Sequence, residues 1–198
     1  MSKQPNSLNL TPAQLKVMAS SMRLAILQHL EAEGEATTKE LATQLERPAT
    51  ALYHHLDQLV RHGLIRVAGQ RETERRPEAV YALVSRQLSS SKAVRTPSGR
   101  KALIEVASRV LASSLRAFSA AVAQAAARLE GPGRHVAIRH LVFRADRQRL
   151  MQINEWIDSL ENMATSSSAD GEGMLLTIVM APRAMPGHRP VRRRTQGD

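Results

Sequence analysis

The stretch TTKELATQLERPATALYHHLDQLVRHGLIRV, Thr37 to Val67, decides the fold. Thr37-Thr38-Lys39-Glu40 has the form of a capping box, with Thr37 as cap and Glu40 at the third helical position. The short helix that follows turns Leu41 and Leu45 inward. Glu46-Arg47-Pro48 interrupts it, because a proline disfavours helical geometry in the residue before it. A second helix restarts at about Pro48 and runs to His62, where Gly63 stops it. Ala49, Leu52, Leu56 and Leu59 form its apolar stripe, while Thr50, Tyr53, His54, Asp57 and Arg61 fall mostly on the other side.

Elements on both flanks extend this pair. Upstream, Thr11-Pro12 opens a short helix to about Met18, and Ser20 or Ser21 caps another over Met22 to Ala32 that Gly34 ends. Downstream, Leu64 to Ala68 and Val80 to Val84 read as two strands around the polar loop GQRETERRPEA, which holds Arg71, Arg75 and Arg76. Two helices joined by a short turn, followed by a hairpin with a basic tip, make a helix-turn-helix with a wing.

In that order and spacing, MRLAILQHL, the T-x-x-E-L-A helix, the polar helix ending in H-L-x-x-L, the G-L-I turn and the wing closing on VYAL resemble the winged helix-turn-helix of ArsR-like bacterial transcriptional regulators. The resemblance covers roughly Ala13 to Val84, under half of the chain. It implies binding of double-stranded DNA, with the second helix in the major groove. The positions that match are Arg47, Thr50, Ala51, Tyr53 and His54, with Lys39 and the wing residues Arg71, Arg75 and Arg76 on phosphate or minor groove. The sequence departs from the family at Pro48 and Ala49, where Ser or Gln is frequent, so readout shifts toward Tyr53, His54 and the wing.

The adjacent histidines need a separate argument. Neighbours on a helix point about 100° apart, so His54 and His55 do not easily share one metal ion. A metal role would need Asp57, His62 or His140 as further ligands. His54 is expected to contact DNA and His55 to pack near the core or the wing base. ArsR-like metal sensors commonly use cysteine, and this chain has none; no metal and no cofactor are expected.

Composition agrees with a polyanion partner. The formal net charge is +10, from 28 Lys+Arg against 18 Asp+Glu. Five arginines fall in residues 183–198, part of an expected flexible tail over 182–198 able to add non-specific DNA affinity. Aromatics make up 3% of the chain, which disfavours a stacking platform. No signal-peptide core or membrane-length apolar run occurs, so a soluble, cytoplasmic protein without membrane contact is expected. No phosphate loop, nucleophile elbow or H-E-x-x-H occurs, so no catalytic residues are expected.

The second half carries a different pattern. After a polar linker from Ser85 to Pro97, Ser98 is read as the cap of a long helix over 98–131. Ile104, Ser108, Leu111, Leu115, Phe118, Val122, Ala125 and Leu129 recur at alternating spacings of four and three, a heptad stripe. Such a helix would be roughly 50 Å long. The expected partner for the stripe is a second copy of the chain, with Ile104, Leu111, Leu115, Phe118, Val122 and Leu129 at the homodimer seam.

Residues 134–181 read as strand, helix, strand. Val136, Ile138, His140 and Val142 alternate, Arg147 to Met163 is amphipathic, and MLLTIVM from Met174 to Met180 reads as a buried strand. Trp156 and the methionines are expected in a core, and the unit either binds a small-molecule effector or braces the dimer. The expected architecture is therefore mainly α with α+β elements: a winged helix-turn-helix over 11–86, a long dimerisation helix, and a small C-terminal α+β region. The expected function is a dimeric, sequence-specific transcriptional regulator acting as a repressor. The alternative is a winged-helix protein that binds DNA without base discrimination, or another protein.

Overall fold

A computed structural model of the chain describes residues 7–72, 76–165, 171 and 173–182. A short strand, β1 (Leu8–Asn9), leads into helix α1 (Pro12–Met18). Thr11 caps α1 in a full capping box with Gln14. Helix α2 (Ser21–Glu33) follows, then strand β2 (Glu35–Thr37), helix α3 (Thr38–Gln44) and helix α4 (Ala49–Arg61). The Thr37–Glu40 box is formed in both directions.

Helices α3 and α4 end alike. Arg47 N–H bonds back to Ala42 C=O at 2.9 Å, and Leu64 N–H to Leu59 C=O at 3.0 Å. Each closure needs one residue in the left-handed region. Gly63 fills that role after α4 with φ 63°, and Glu46 fills it after α3 with φ 51°. Glu46 is the only residue other than glycine with positive φ among the described residues, so the turn between the two helices carries backbone strain.

Strands β3 (Ile65–Arg71) and β4 (Glu78–Leu83) form the wing, with a bulge between Val67 and Gly69. They run further toward the tip than the sequence indicated, which shortens the loop. A third strand, unforeseen, completes the sheet: β2 pairs antiparallel with β4, giving the order β2-β4-β3. The expected linker after the wing is also structured. Strand β5 (Leu88–Ser89) pairs parallel with β1, and a 3-10 turn occupies Ala93–Arg95.

One apolar core joins these elements. Leu15, Ile26, Leu30, Leu41, Leu52, Leu56, Leu59 and Ile65 are fully buried in it. Helix α5 (Pro97–Val122) contributes Ala102 and Val106 to the same core. Its cap is Thr96 rather than Ser98: the Thr96 hydroxyl accepts from Gly99 N–H at 3.0 Å. Gly99 is required there, since a Cβ would lie 1.9 Å from the Ala93 carbonyl oxygen.

The second half corrects several expectations. Helix α5 stops at Val122 rather than 131, so it has 26 residues and spans about 39 Å. Ala125 and Leu129 lie beyond it, and Leu129 is not on the helical seam. The winged domain packs along α5 as far as Val110 and Ser113, whose hydroxyl lies 3.4 Å from Gln28 Oε1, and the helix ends about two turns beyond. Helix α5 packs within its own chain on α1 and α2, through the face opposite the stripe.

Helix α6 (Arg147–Thr165) forms as expected, with Asp146 accepting from Arg149 N–H at 2.8 Å. The stretches expected as strands, 135–143 and 174–180, join no sheet among the described residues. The segment from Met174 to Met180 is not buried, and Trp156 is exposed rather than in a core. Among the described residues of this region only Val136 is buried. The basic residues of 183–198 lie outside the described residues. Among the described residues no helix is long and apolar enough to cross a membrane.

Candidate nucleic-acid interface

Helix α4 divides its surface between two tasks. Leu52, Leu56 and Leu59, spaced by four and three, seal into the core. Thr50, Ala51, Tyr53 and His54 are exposed, and Tyr53 leaves 49% of its surface open although it is a large aromatic residue. The same face carries Asp57, whose carboxylate accepts from Arg61 Nε at 2.8 Å. That exposed ion pair adds little stability but holds Arg61 along the helix. Arg47 is exposed in the turn before α4, and Lys39 on α3.

The two histidines part company as their spacing required. Their ring centroids are 5.9 Å apart in an edge-to-face arrangement, with His54 exposed and His55 half-buried. Nδ1 of His55 is buried without a hydrogen-bond partner among the described residues. Burial first, then the Arg23 guanidinium and His54, hold His55 below the ordinary histidine range. It therefore sits in the fold as the neutral ring. No group of three His, Cys, Asp or Glu side chains among the described residues is placed to hold a metal ion.

The wing is more tightly held than its sequence implied. Arg71, at the end of β3, forms an ion pair with Glu40 and lies 4.0 Å from the Glu35 carboxylate. Glu40 accepts at the same time from Thr37 N–H at 2.8 Å. The Thr37 backbone bond first, and Arg71 after it, keep the Glu40 carboxyl below the usual carboxylate range. Arg71 thus links the wing to the first helix of the motif through a half-exposed ion pair, and a phosphate reaching it competes with Glu40. The capping box announced Glu40 as a cap, but nothing local announced its second partner thirty-one residues away. Arg76 is exposed in the wing loop, and Arg75 lies outside the described residues.

A second link was also missed. Gln14 Nε2 donates to the carbonyl of His62, the last cap of α4, at 2.9 Å. The pattern Thr11-Pro12-Ala13-Gln14 carries the signal for a capping box at α1, but not for this contact.

The residues expected at a dimer seam divide similarly. Ile104, Leu111, Leu115 and Val122 are 66%, 48%, 64% and 43% exposed, and Phe118 is half-buried. At about 100° per residue they share one face of α5, and Ala102 and Val106 lie opposite. One side of α5 packs on the winged domain; the other is largely exposed, with Phe118 half-buried and Ser114 at its edge 2.6 Å from the Thr177 hydroxyl.

A cavity of about 340 Å³ at the start of α6 is lined by Arg144, Asp146, Gln148, Arg149 and Gln152. Its lining is polar, unlike the mostly apolar walls usual for small-molecule sites.

Residues 18–68 match a family described as "Helix-turn-helix domain". Among solved structures the chain is similar to reduced HlyU from Vibrio cholerae N16961. The two are 35% identical over 37% of this chain and 72% of that one, at a TM-score of 0.31. No curated protein matches. The matched segment contains α2, β2, α3 and α4 and enters β3, and the strands that follow supply the wing.

Proposed function

We propose that this winged helix-turn-helix protein is a DNA-binding regulator that reads specific sequences as a homodimer and represses by occupying promoters. The observation that carries the reading is the split surface of α4. Three leucines fix the helix to the core, while Thr50, Ala51, Tyr53 and His54 stand outside it at the edge of a helix-turn-helix.

The residues divide by what they can recognise. Thr50 and His54 offer hydrogen bonds to base edges, Ala51 a methyl contact to thymine, and Tyr53 a hydroxyl for base or phosphate. Arg47 and Lys39 flank the helix as phosphate ligands, and Arg76 extends the basic surface along the wing. The net charge of +10 adds a long-range attraction for DNA that weakens as salt rises.

Support for the dimer comes from the open face of α5. A stripe of large apolar side chains opposite the packed face is costly in water, and its heptad spacing fits a second copy of the same helix. Two copies joined this way would present two recognition helices to an inverted repeat.

The test is recovery of genomic DNA fragments by the purified protein at fixed salt with excess non-specific competitor, followed by sequencing. Enrichment of a few sites with inverted repeats is the expected result. Retention without enrichment would favour the non-specific reading, and no retention at lowered salt would end the DNA assignment.

A further inference from the structure

We infer that Gln14 is a positioning residue that ties the end of the recognition helix to the platform formed by α1 and α5. This rests on the DNA-binding reading of α4 and on the pairing of two chains through α5, and deepens both.

The two ends of the Gln14 amide meet different partners. Gln14 Oε1 accepts from Thr11 N–H at 2.8 Å and from the Thr11 hydroxyl at 3.1 Å. Gln14 Nε2 donates to the His62 carbonyl at 2.9 Å, in a part-buried position. The backbone N–H of Thr11 can only donate and the carbonyl of His62 can only accept, so the two partners fix which end of the amide faces which. A capping box accepts Glu or Gln equally well. Glutamate would complete the box at α1 but would set a carboxylate oxygen against the His62 carbonyl. The second contact, not the cap, therefore selects glutamine at this position.

The location gives the contact its consequence. The last carbonyls of a helix have no partner within it, and His62 caps α4. Through Gln14 that end of α4 is held by α1, which packs chiefly on α5. Leu15 and Met18 of α1 share one core with Ala102 and Val106 of α5. At its other end α4 follows Pro48, which gives no side-chain cap and lies two residues after the strained Glu46. The recognition helix is thus anchored to the platform at its C-terminal end. If two chains pair through the open face of α5, this anchor fixes the separation of the two recognition helices. The preferred spacing of DNA half-sites then depends on Gln14, although Gln14 lies on α1 and not on the DNA-facing surface of α4.

The experiment uses the full-length chain and Gln14→Glu, which keeps the capping box and replaces the bridge by a carboxylate facing the His62 carbonyl. Hydrogen exchange is measured first, without DNA. Faster exchange over residues 58–64, with α3 unchanged, is expected; identical exchange in the two proteins overturns the bridge. Binding is then measured on a site selected by the unsubstituted protein and on versions with longer or shorter half-site spacing. Loss of one neutral hydrogen bond predicts about tenfold weaker binding at the preferred spacing, with a flattened spacing profile and unchanged non-specific affinity at the same salt. An unaltered profile overturns the positioning role. If the unsubstituted protein prefers no sequence, the DNA reading fails, and the exchange result still judges the bridge by itself.

Discussion

Leu115→Ala tests the open face of α5 most directly. Leu115 keeps 64% of its surface in water in the single chain, although it sits in the middle of a heptad stripe. Full burial of a leucine side chain is worth ~1.5–3 kcal/mol, so closing the remaining surface against a second copy contributes roughly 1–2 kcal/mol. Alanine retains part of that contact, which places the loss near ~1 kcal/mol per copy. In a symmetric dimer the substitution occurs twice, giving about 2 kcal/mol, or roughly thirtyfold weaker self-association. The fold of the single chain should be spared, since the packed face of α5 is carried by Ala102 and Val106 on the opposite side. Sedimentation equilibrium across a range of concentrations reads the association constant, and thermal unfolding checks the fold. Arg116→Ala, exposed on the same helix but off the stripe, serves as the control. Equal dimer constants for Leu115→Ala and the unsubstituted chain would refute the seam, as would an equal loss in the control.

Four further outcomes follow from the winged domain. Thr50→Ala and His54→Ala should each cost about 1–3 kcal/mol on the selected site while leaving non-specific binding at the same salt unchanged, as competition binding would show; equal weakening on all DNA would move them to the backbone. Leu56→Ala, emptying a fully buried position, should destabilise the domain by ~2–5 kcal/mol in denaturant titration. Glu46→Gly should stabilise it by roughly 1 kcal/mol, because Glu46 alone bears the left-handed backbone between α3 and α4. Stability should fall toward acid in two windows, followed by melting temperature against pH. His55 is held neutral, so its cost begins as pH falls through the unfolded histidine value of about 6.5, and His55→Gln should remove that step. Glu40 is held ionised, so its contribution is present above the unfolded value of about 4.3 and is lost as pH falls through its depressed folded value, a step that Glu40→Gln should remove.

The parts of this fold that sequence disclosed are those in which a short-range rule and the tertiary structure ask for the same residue. Thr37 and Glu40 cap α3 because their side chains reach backbone groups three residues away. Leu52, Leu56 and Leu59 announce both a helix and its buried side by spacing alone. Strand β2 was hidden by the same economy. Its three residues also serve as the approach to a helix cap, and their strand character appears only when β4 lies beside them. Strands β1 and β5 have two residues each, too few for any periodicity to show.

The second half was less legible because its pattern answers a question one chain does not pose. A heptad stripe states that a helix face is apolar, but not where the helix ends or which body covers it. The first turns of α5 use the opposite face on the winged domain, through small residues such as Gly99 and Ala102 that carry almost no hydrophobic signal. Their burial depends on close approach, made visible by the Ala93 carbonyl lying where a Gly99 side chain would begin. The stretches 135–143 and 174–180 show the converse. Alternation and apolar runs mark residues that suit a sheet, yet a sheet also needs a neighbour with free backbone groups in register. Ile138, Leu141, Leu176 and Val179 stay exposed, together with Ile104 and Leu115. Burial of all of them in the same association would lower the cost of each, so self-association should be strongly cooperative with ordering of this region. Hydrogen exchange as a function of protein concentration tests that link: protection over 135–143 and 174–180 should rise with the dimer fraction, and protection that ignores concentration would separate the two events.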